Sequence, residues 1–435
     1  MRVSQIQIPV DELPTDWFNI VPSLPEPLPR PKDPDEGPSR LDLLPKIFLA
    51  SMLKQESSQQ PLVSIPEDVR ELLIQAGRPR PLYRAYRLEQ RLGVGRDVHL
   101  YYKREDLSPT GSHKVNTALA QVHYASKEGK KRVVTETGAG QWGSALAYAA
   151  SLLGLECTVY WVRHAMKMKP QRLTLMKLYG ADVAASPSSR TECGRRLCSG
   201  KEDHPGSLGI AISEAIEDTL RSEDAVYCLG SVLNHVLMHQ TIIGLETMKQ
   251  FELVDDYPTL MIACLGGGSN FGGFTLPYIA ERLKGKSETR FLAAQSEAAP
   301  NLVRGEYRYD FGDYAEHTPL MKMYTLGHKV EMHPIYADGL RYHAAAPVIS
   351  ILRSMGVVEA TAFPMTEREI FEAARLFTQA EGFLPAPESA YAVKAAIDEA
   401  RRLKREGGEG TIAFNISGHG FLDLASYEKV LFNSG

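Results

Sequence analysis

The segment LYYKREDLSPTGSHKVNTALAQ, Leu100–Gln121, sets Lys114 directly behind Pro-Thr-Gly-Ser-His. From there apolar residues recur at helical spacing: Val115, Ala118, Leu119, Val122 and Ala125. Ser112 reads as the N-cap, which puts Lys114 in the first helical turn. A cation there faces the positive end of the helix, the wrong end for charge stabilisation. A solvated surface lysine is the ordinary explanation, since helix-end effects amount to only about 0.3–1 kcal/mol. The chemical alternative is an amine kept partly neutral. Burial and the helix end both lower its pKa, and a neutral amine forms a Schiff base with an aldehyde.

Three glycine-rich loops follow strand-like runs: RVVTETGAGQWGSALAYAA, TLMIACLGGGSNFGG and TIAFNISGHGFLDLASY. In open α/β sheets ligands sit beyond the carboxyl ends of the strands. Loops that open a helix offer free N–H groups and a positive helix end to an anion. Each loop alone is equally explained as a tight strand-to-helix connection. GGGSN, residues 266–270, does not continue into a dinucleotide fingerprint, because Phe271 stands where the third glycine belongs. A cradle for one phosphate suits it better. Ser417 ends the run IAFNI, where its hydroxyl could meet a pyridine nitrogen or merely cap a turn. An aldehyde-binding amine beside a phosphate cradle and a carboxylate-binding loop describes a pyridoxal phosphate enzyme acting on an amino acid.

The elements that must position these groups alternate along the chain. Strand candidates are VHLYYK, RVVTE, ECTVYWV, ADVAAS, AVYCLG, TLMIACLG, RFLAAQS and GTIAFNIS, with helical stretches between most of them. That alternation predicts an α/β protein with mainly parallel sheets. SIPEDVRELLIQAG reads as a helix with a Ser cap and a Gly stop. The first forty residues read as an extended, proline-rich arm. The polar run SPSSRTECGRRLCSGKEDHPGS reads as a loop or mobile insertion. The chain has 435 residues, 43% hydrophobic and 23% charged, which is ordinary for a soluble globular protein, and its net charge of -4 argues weakly against nucleic acid or an anionic membrane as the main partner. Five cysteines without a C-x-x-C pair form no disulfide framework, and a reducing cytoplasm is expected. His235 and His239 have metal-ligand spacing but lack the glutamate of H-E-x-x-H, so a structural pair and no metal site are expected.

KREDLSPTGSHKVN, ETGAGQWG, GGGSN, EGFLPAPESA and SGHG together resemble the tryptophan synthase β chain, among the fold-type II pyridoxal phosphate enzymes, over most of the chain. The resemblance implies two three-layer domains with the cofactor between them. The expected division is 1–79 with 113–235, carrying the arm, and 80–112 with 236–435, binding the cofactor phosphate. It implies that Lys114 holds pyridoxal 5′-phosphate as an internal aldimine and moves the α-proton. His113 and Asn116 would flank the cofactor. Gly266, Gly267, Gly268, Ser269 and Asn270 would hold its phosphate, Ser417 its ring nitrogen, and Glu381 would lie near the ring. Glu136 would be the acid and base for the leaving hydroxyl and the incoming indole. Thr137, Gly138, Ala139, Gly140 and Gln141 would bind the substrate carboxylate.

Two departures point to the divergent second type of β chain. Trp142 replaces the usual histidine, and YADGLRYHAAAP brings Arg341 where an aspartate normally greets the serine hydroxyl. The implied reaction makes L-tryptophan from indole and L-serine, or O-phospho-L-serine held by Arg341, through an aminoacrylate. A threonine-synthase-like or serine-dehydratase-like activity is the alternative. A homodimer is implied, with a weak or transient partnership with a tryptophan synthase α chain.

Overall fold

The computed structural model describes residues 4–199 and 204–432. Two sheets organise them. The larger has seven strands in the order Gln5–Ile6, Leu82–Arg84, Val98–Arg104, Gly410–Ile416, Leu260–Cys264, Arg290–Ser296 and Val358–Phe363. Leu82–Arg84 runs antiparallel to both of its neighbours and the remaining pairings are parallel. The smaller has four parallel strands in the order Asp182–Ser186, Glu156–Val162, Arg132–Thr137 and Ala225–Tyr227. All eight strand candidates of the sequence lie in these sheets. Their apolar, β-branched interiors are buried on both faces, as parallel strands between helical layers require.

The structure departs from expectation in several elements. Val358–Phe363 is half-exposed and edge-placed, so it lacks the apolar run that marks its neighbours. A hairpin of Glu306–Asp310 with Met321–Thr325 also lay hidden, because its exposed face is charged. The helix Glu67–Gln75 is preceded by Pro66, with no side-chain cap from the serine. The polar run after Ser186 is not simply a loop: Glu192–Cys198 is a helix, capped by the Thr191 hydroxyl accepting from the Gly194 N–H. Residues 200–203 of that run lie outside the described residues.

The arm lies against the body of the protein. Ile6, Ile8, Leu13, Trp17 and Ile20 are buried. Asp16–Phe18 pairs with Leu62–Ser64, and the Phe18 N–H donates to Thr241. Prolines there suppress helix without preventing burial. No described helix is long and apolar enough to cross a membrane.

Candidate active site

Lys114 is brought to the site by backbone pairing, not by a cap. The Ser112 N–H donates to the Ser108 hydroxyl (2.8 Å), and Ser112 pairs with Gly418 of the third glycine loop. The His113 N–H donates to the Ser417 carbonyl at 2.9 Å. Ser112 is therefore not the cap. Lys114 itself is the N-cap residue of the helix Val115–Lys127, which has no side-chain cap. The Lys114 amine donates to the Gly230 carbonyl at 2.9 Å. Burial pulls its pKa down to about 8, against the nearby Glu136 carboxylate, which draws it up.

Glu136 ends the strand Arg132–Thr137 and faces the same cavity. Its Oε2 accepts from the Tyr227 hydroxyl at 2.5 Å, and the Thr135 hydroxyl lies 3.5 Å away. Burial pushes its pKa up to about 7, although the Tyr227 hydrogen bond acts the other way. An amine and a carboxyl that both titrate near neutrality thus share one enclosed space, the arrangement expected of paired proton carriers. Trp142, in the helix Gln141–Leu153, donates from its indole nitrogen to Thr135 at 2.6 Å and packs on Gly230.

The cavity lies between the carboxyl ends of the two sheets and has about 740 Å³ of free space, counting its opening to solvent. Thr137, Gly138, Ala139 and Gln141 line one side, Gly266 to Asn270 another, and His113 and Ser417 a third. A methyl group on Gly266 would stand 2.4 Å from the Gly339 carbonyl, and one on Gly267 would stand 2.3 Å from the Ser231 hydroxyl. Gly268 has φ +125°, a conformation that suits glycine. The helix Ser269–Leu283 begins at this bend, so its first N–H groups face the cavity end. Asn270 is fixed by Asn415 and the Cys264 carbonyl. The Ser417 hydroxyl lies 2.8 Å from that of Ser389 and 3.5 Å from the Cys264 sulfur, all neutral groups. Burial holds His113 near pKa 3, so it too stays neutral. A tight anion cradle, an enclosed amine and a neutral hydroxyl together fit pyridoxal phosphate.

Four expected residues stand elsewhere. Asn116 points into a buried cluster with Arg78, Glu105 and Gln240 rather than lining the cavity. Glu381 accepts from the Leu88 N–H (2.8 Å) and Tyr102 in a separate pocket. Gly140 is turned under the loop, where a methyl would meet Trp161 at 2.5 Å. Arg341 faces Asp338 (3.0 Å) and the Met332 carbonyl (2.9 Å), in a smaller pocket beside the main one. In their place the cavity receives Asp338 and Glu388. Glu388 accepts from the Gly339 N–H at 3.0 Å and from the Gln141 amide at 3.3 Å. EGFLPAPESA contains both Glu381 and Glu388, and nothing in the string tells which begins the helix Pro387–Glu406 and turns inward. Tyr227 was missed because it reads as one more apolar strand residue. His235 and His239 are held by Glu56, Thr117 and Gln55, and no metal-holding cluster occurs among the described residues.

Residues 73–418 match the model of the family described as "Pyridoxal-phosphate dependent enzyme". The chain is 54% identical to "Tryptophan synthase beta chain 2" of Aeropyrum pernix, over 98% of this chain and 95% of that protein. It is 52% identical to the protein of that name from Pyrococcus furiosus, over 98% and 95%. It is 53% identical to "Tryptophan synthase beta chain" of Thermococcus onnurineus, over 98% and 95%. The chain belongs to the tryptophan synthase β-chain family. Members of this family and of the wider one are pyridoxal phosphate enzymes, and so is this chain. The fold extends to more distant relatives. An L-serine ammonia-lyase from Rhizomucor miehei aligns with TM-score 0.60 at 16% identity, over 81% of this chain and 96% of that one. A threonine deaminase from Solanum lycopersicum aligns with TM-score 0.59 at 17% identity, over 99% of both. These likenesses place the β-chain family member within the fold-type II architecture.

Proposed function

We propose that the enzyme joins indole to the β-carbon of an amino acid, making L-tryptophan from L-serine. The observation that carries this reading is that Lys114 and Glu136 line one cavity, with an apolar cavity beside it lined by Tyr227, the hydrogen-bond partner of Glu136. That second space, about 720 Å³ counting its opening to solvent, is lined by Phe48, Met52, Leu229 and Met321, and shares Tyr342 with the first. Its walls suit a flat apolar ring approaching from the side of Glu136.

Pyridoxal phosphate, when bound, supplies an electron sink that acidifies the amino-acid α-carbon and lets the β-substituent leave. Lys114 would hold its aldehyde carbon and, once released, take the proton from Cα. Glycines 266–268 and the start of the following helix would hold its phosphate, and Ser417 its ring nitrogen. A neutral hydroxyl leaves that nitrogen unprotonated, a weaker sink that favours β-replacement over transamination. The loop of Thr137, Gly138, Ala139 and Gln141 would bind the substrate carboxylate. Glu136, protonated in part near neutrality, gives a proton to the departing β-oxygen and then takes the one from the indole ring.

O-Phospho-L-serine is a second donor under the same reading. The Arg341 Nε is buried and has no partner among the described residues, and its pocket also holds Gly138 and Ser207. A guanidinium beside the carboxylate loop could take a phosphate if its contact with Asp338 opened. We also read the chain as a cytoplasmic homodimer that meets an α chain weakly or transiently; sedimentation with and without that chain tests this part.

The test is incubation of the holoenzyme with indole and either donor, with tryptophan and pyruvate measured. Tryptophan is expected, and Lys114→Ala should abolish it while leaving the circular dichroism unchanged. Pyruvate alone would favour a serine-dehydratase-like lyase. Arg341→Ala should lower kcat/KM for O-phosphoserine by about 10- to 100-fold and that for serine much less. Equal losses for the two donors would remove Arg341 from donor choice.

A further inference from the structure

The glycine loop and the wall of the cavity meet on one side chain that does not itself line the cavity, Asn301. It is 0% exposed and opens the short helix Asn301–Arg304. Its amide nitrogen donates to the Gly266 carbonyl and to the Tyr342 carbonyl, each at 3.1 Å. Its Oδ1 accepts from the Gln295 amide nitrogen at 2.7 Å. Gln295 is equally buried. It also donates to the Leu265 carbonyl at 3.4 Å, and its oxygen accepts from the Leu302 N–H at 3.0 Å.

Backbone groups fix the direction of this chain at both ends. The Leu302 N–H can only donate, so Gln295 turns its oxygen there and its nitrogen to Asn301. The Gly266 and Tyr342 carbonyls can only accept, so Asn301 must give them its nitrogen. Both N–H groups of one amide are thereby spent on two loops. A peptide unit is planar and trans, so its C=O and N–H point opposite ways. Holding the Gly266 oxygen on Asn301, outside the lining, turns the Gly267 N–H toward the cavity, which Gly267 lines. Tyr342 follows the stretch Asp338–Leu340 and lines the same cavity. We propose that Asn301 is a positioning residue, which aims the Gly267 N–H at the cofactor phosphate and pins that peptide to the substrate wall at Tyr342. The inference rests on the reading of Gly266–Asn270 as the phosphate cradle.

The experiment compares the parent with Asn301→Leu, Asn301→Asp and Gln295→Met. The readouts are pyridoxal phosphate affinity by absorbance titration, the ³¹P resonance of the bound phosphate, the denaturant midpoint, and serine kinetics at saturating cofactor. Asn301→Leu keeps the volume but leaves two buried carbonyls without donors. Cofactor affinity should fall by about 10- to 100-fold, with the ³¹P resonance moved from its parent position. KM for serine should rise by about fivefold or more, with kcat changed less. Gln295→Met touches neither loop carbonyl of Asn301 and should act in the same direction, more weakly. If Asn301→Leu does not fold, Asn301→Asp, which has the same outline, decides by the same readings. Parent-like affinity and ³¹P resonance would overturn the proposal. A lowered denaturant midpoint with unchanged affinity would do so as well, since Asn301 would then serve stability alone. Gly266→Ala separates the two readings. If it weakens cofactor binding and the Asn301 variants do not, the cradle stands and the positioning role fails; if neither does, the cradle reading falls too.

Discussion

Glu136 is set by burial acting against one neighbour. The strand Ala225–Tyr227 brings the Tyr227 hydroxyl onto Oε2 at 2.5 Å, and that hydrogen bond favours the carboxylate. Burial works against it and wins, leaving the pKa near 7. The other titratable groups facing Glu136 are the Lys114 amine, which favours the anion, and Tyr342 and Cys228, both neutral at this pH. Tyr227→Phe removes a donor without removing the ring, so the Glu136 pKa should rise further. The kcat profile should then shift to higher pH on the limb where Glu136 loses its proton. A profile that does not move would show that Tyr227 does not tune this acid. Glu136→Gln should lower kcat by about 10²–10⁴-fold, the usual contribution of a general acid–base group.

At the scale of elements, the glycine loop proposed to hold the phosphate and the wall at Gly339 are fitted to each other. The Gly266 backbone sits against the carbonyl of Gly339, so neither loop has room to shift alone. The wall is held from behind by Glu367, whose carboxylate accepts the N–H groups of Tyr336 (2.6 Å) and Ala337 (3.1 Å). Glu367 has φ +51°, a left-handed conformation disfavoured for a side chain of its size. Burial pushes its carboxyl up to about 7. Strain and burial here are tolerated because they fix the loop that carries Asp338. Gly266→Ala drives a methyl into backbone, which has no rotamer to yield. The expected cost is about 1–3 kcal/mol, and it should appear as a 5- to 150-fold weaker (about) affinity for pyridoxal phosphate in an absorbance titration. Undiminished affinity would mean that the cradle lies elsewhere.

On the scale of the whole molecule, the two sheets' domains are tied by residues distant in sequence. Asp313 accepts from the Ser213 hydroxyl at 2.6 Å, and the Tyr314 N–H donates to the Gly209 carbonyl at 3.1 Å, both on the helix Leu208–Thr219. Burial alone would raise the Asp313 pKa; His317 and Ser213 overcome it and hold the carboxyl at about 2, against an ordinary 3.8. A depressed pKa contributes stability that is present above the unfolded value and lost as pH falls through the folded one. Asp313→Asn should therefore cost about 2 kcal/mol at pH 6 by that linkage. The gap between parent and variant should close as pH falls from about 4 to about 2, measured by denaturant unfolding at each pH. A constant gap across that range would assign the loss to packing instead.

Local pattern carried most of the fold and much of the site. The α/β alternation was legible because parallel strands buried on both faces must be short apolar runs, and the helices between them keep one apolar face. Lys114 and the loop Gly266–Asn270 could be picked out as candidates because one opens a helix and the other joins a strand to a helix, where only certain residues suit, whereas Glu136 came from the family resemblance. What the sequence could not decide were choices among neighbours. Glu381 and Glu388 stand seven residues apart, and only the seating of the helix Pro387–Glu406 selects Glu388. Asp338 and Arg341 share one loop, and their mutual ion pair turns the acid toward the cavity and the base into the pocket beside it. Ser112 had the type of a cap, but strand-like pairing with Gly418 claimed its backbone first. Tyr227 carries no local signal, because its meaning comes from a partner 91 residues away in the chain. Residue type and spacing determine which groups a chain can offer; which of them meet is decided when long-range pairing and burial fix the distances, and a one-dimensional pattern does not contain those distances.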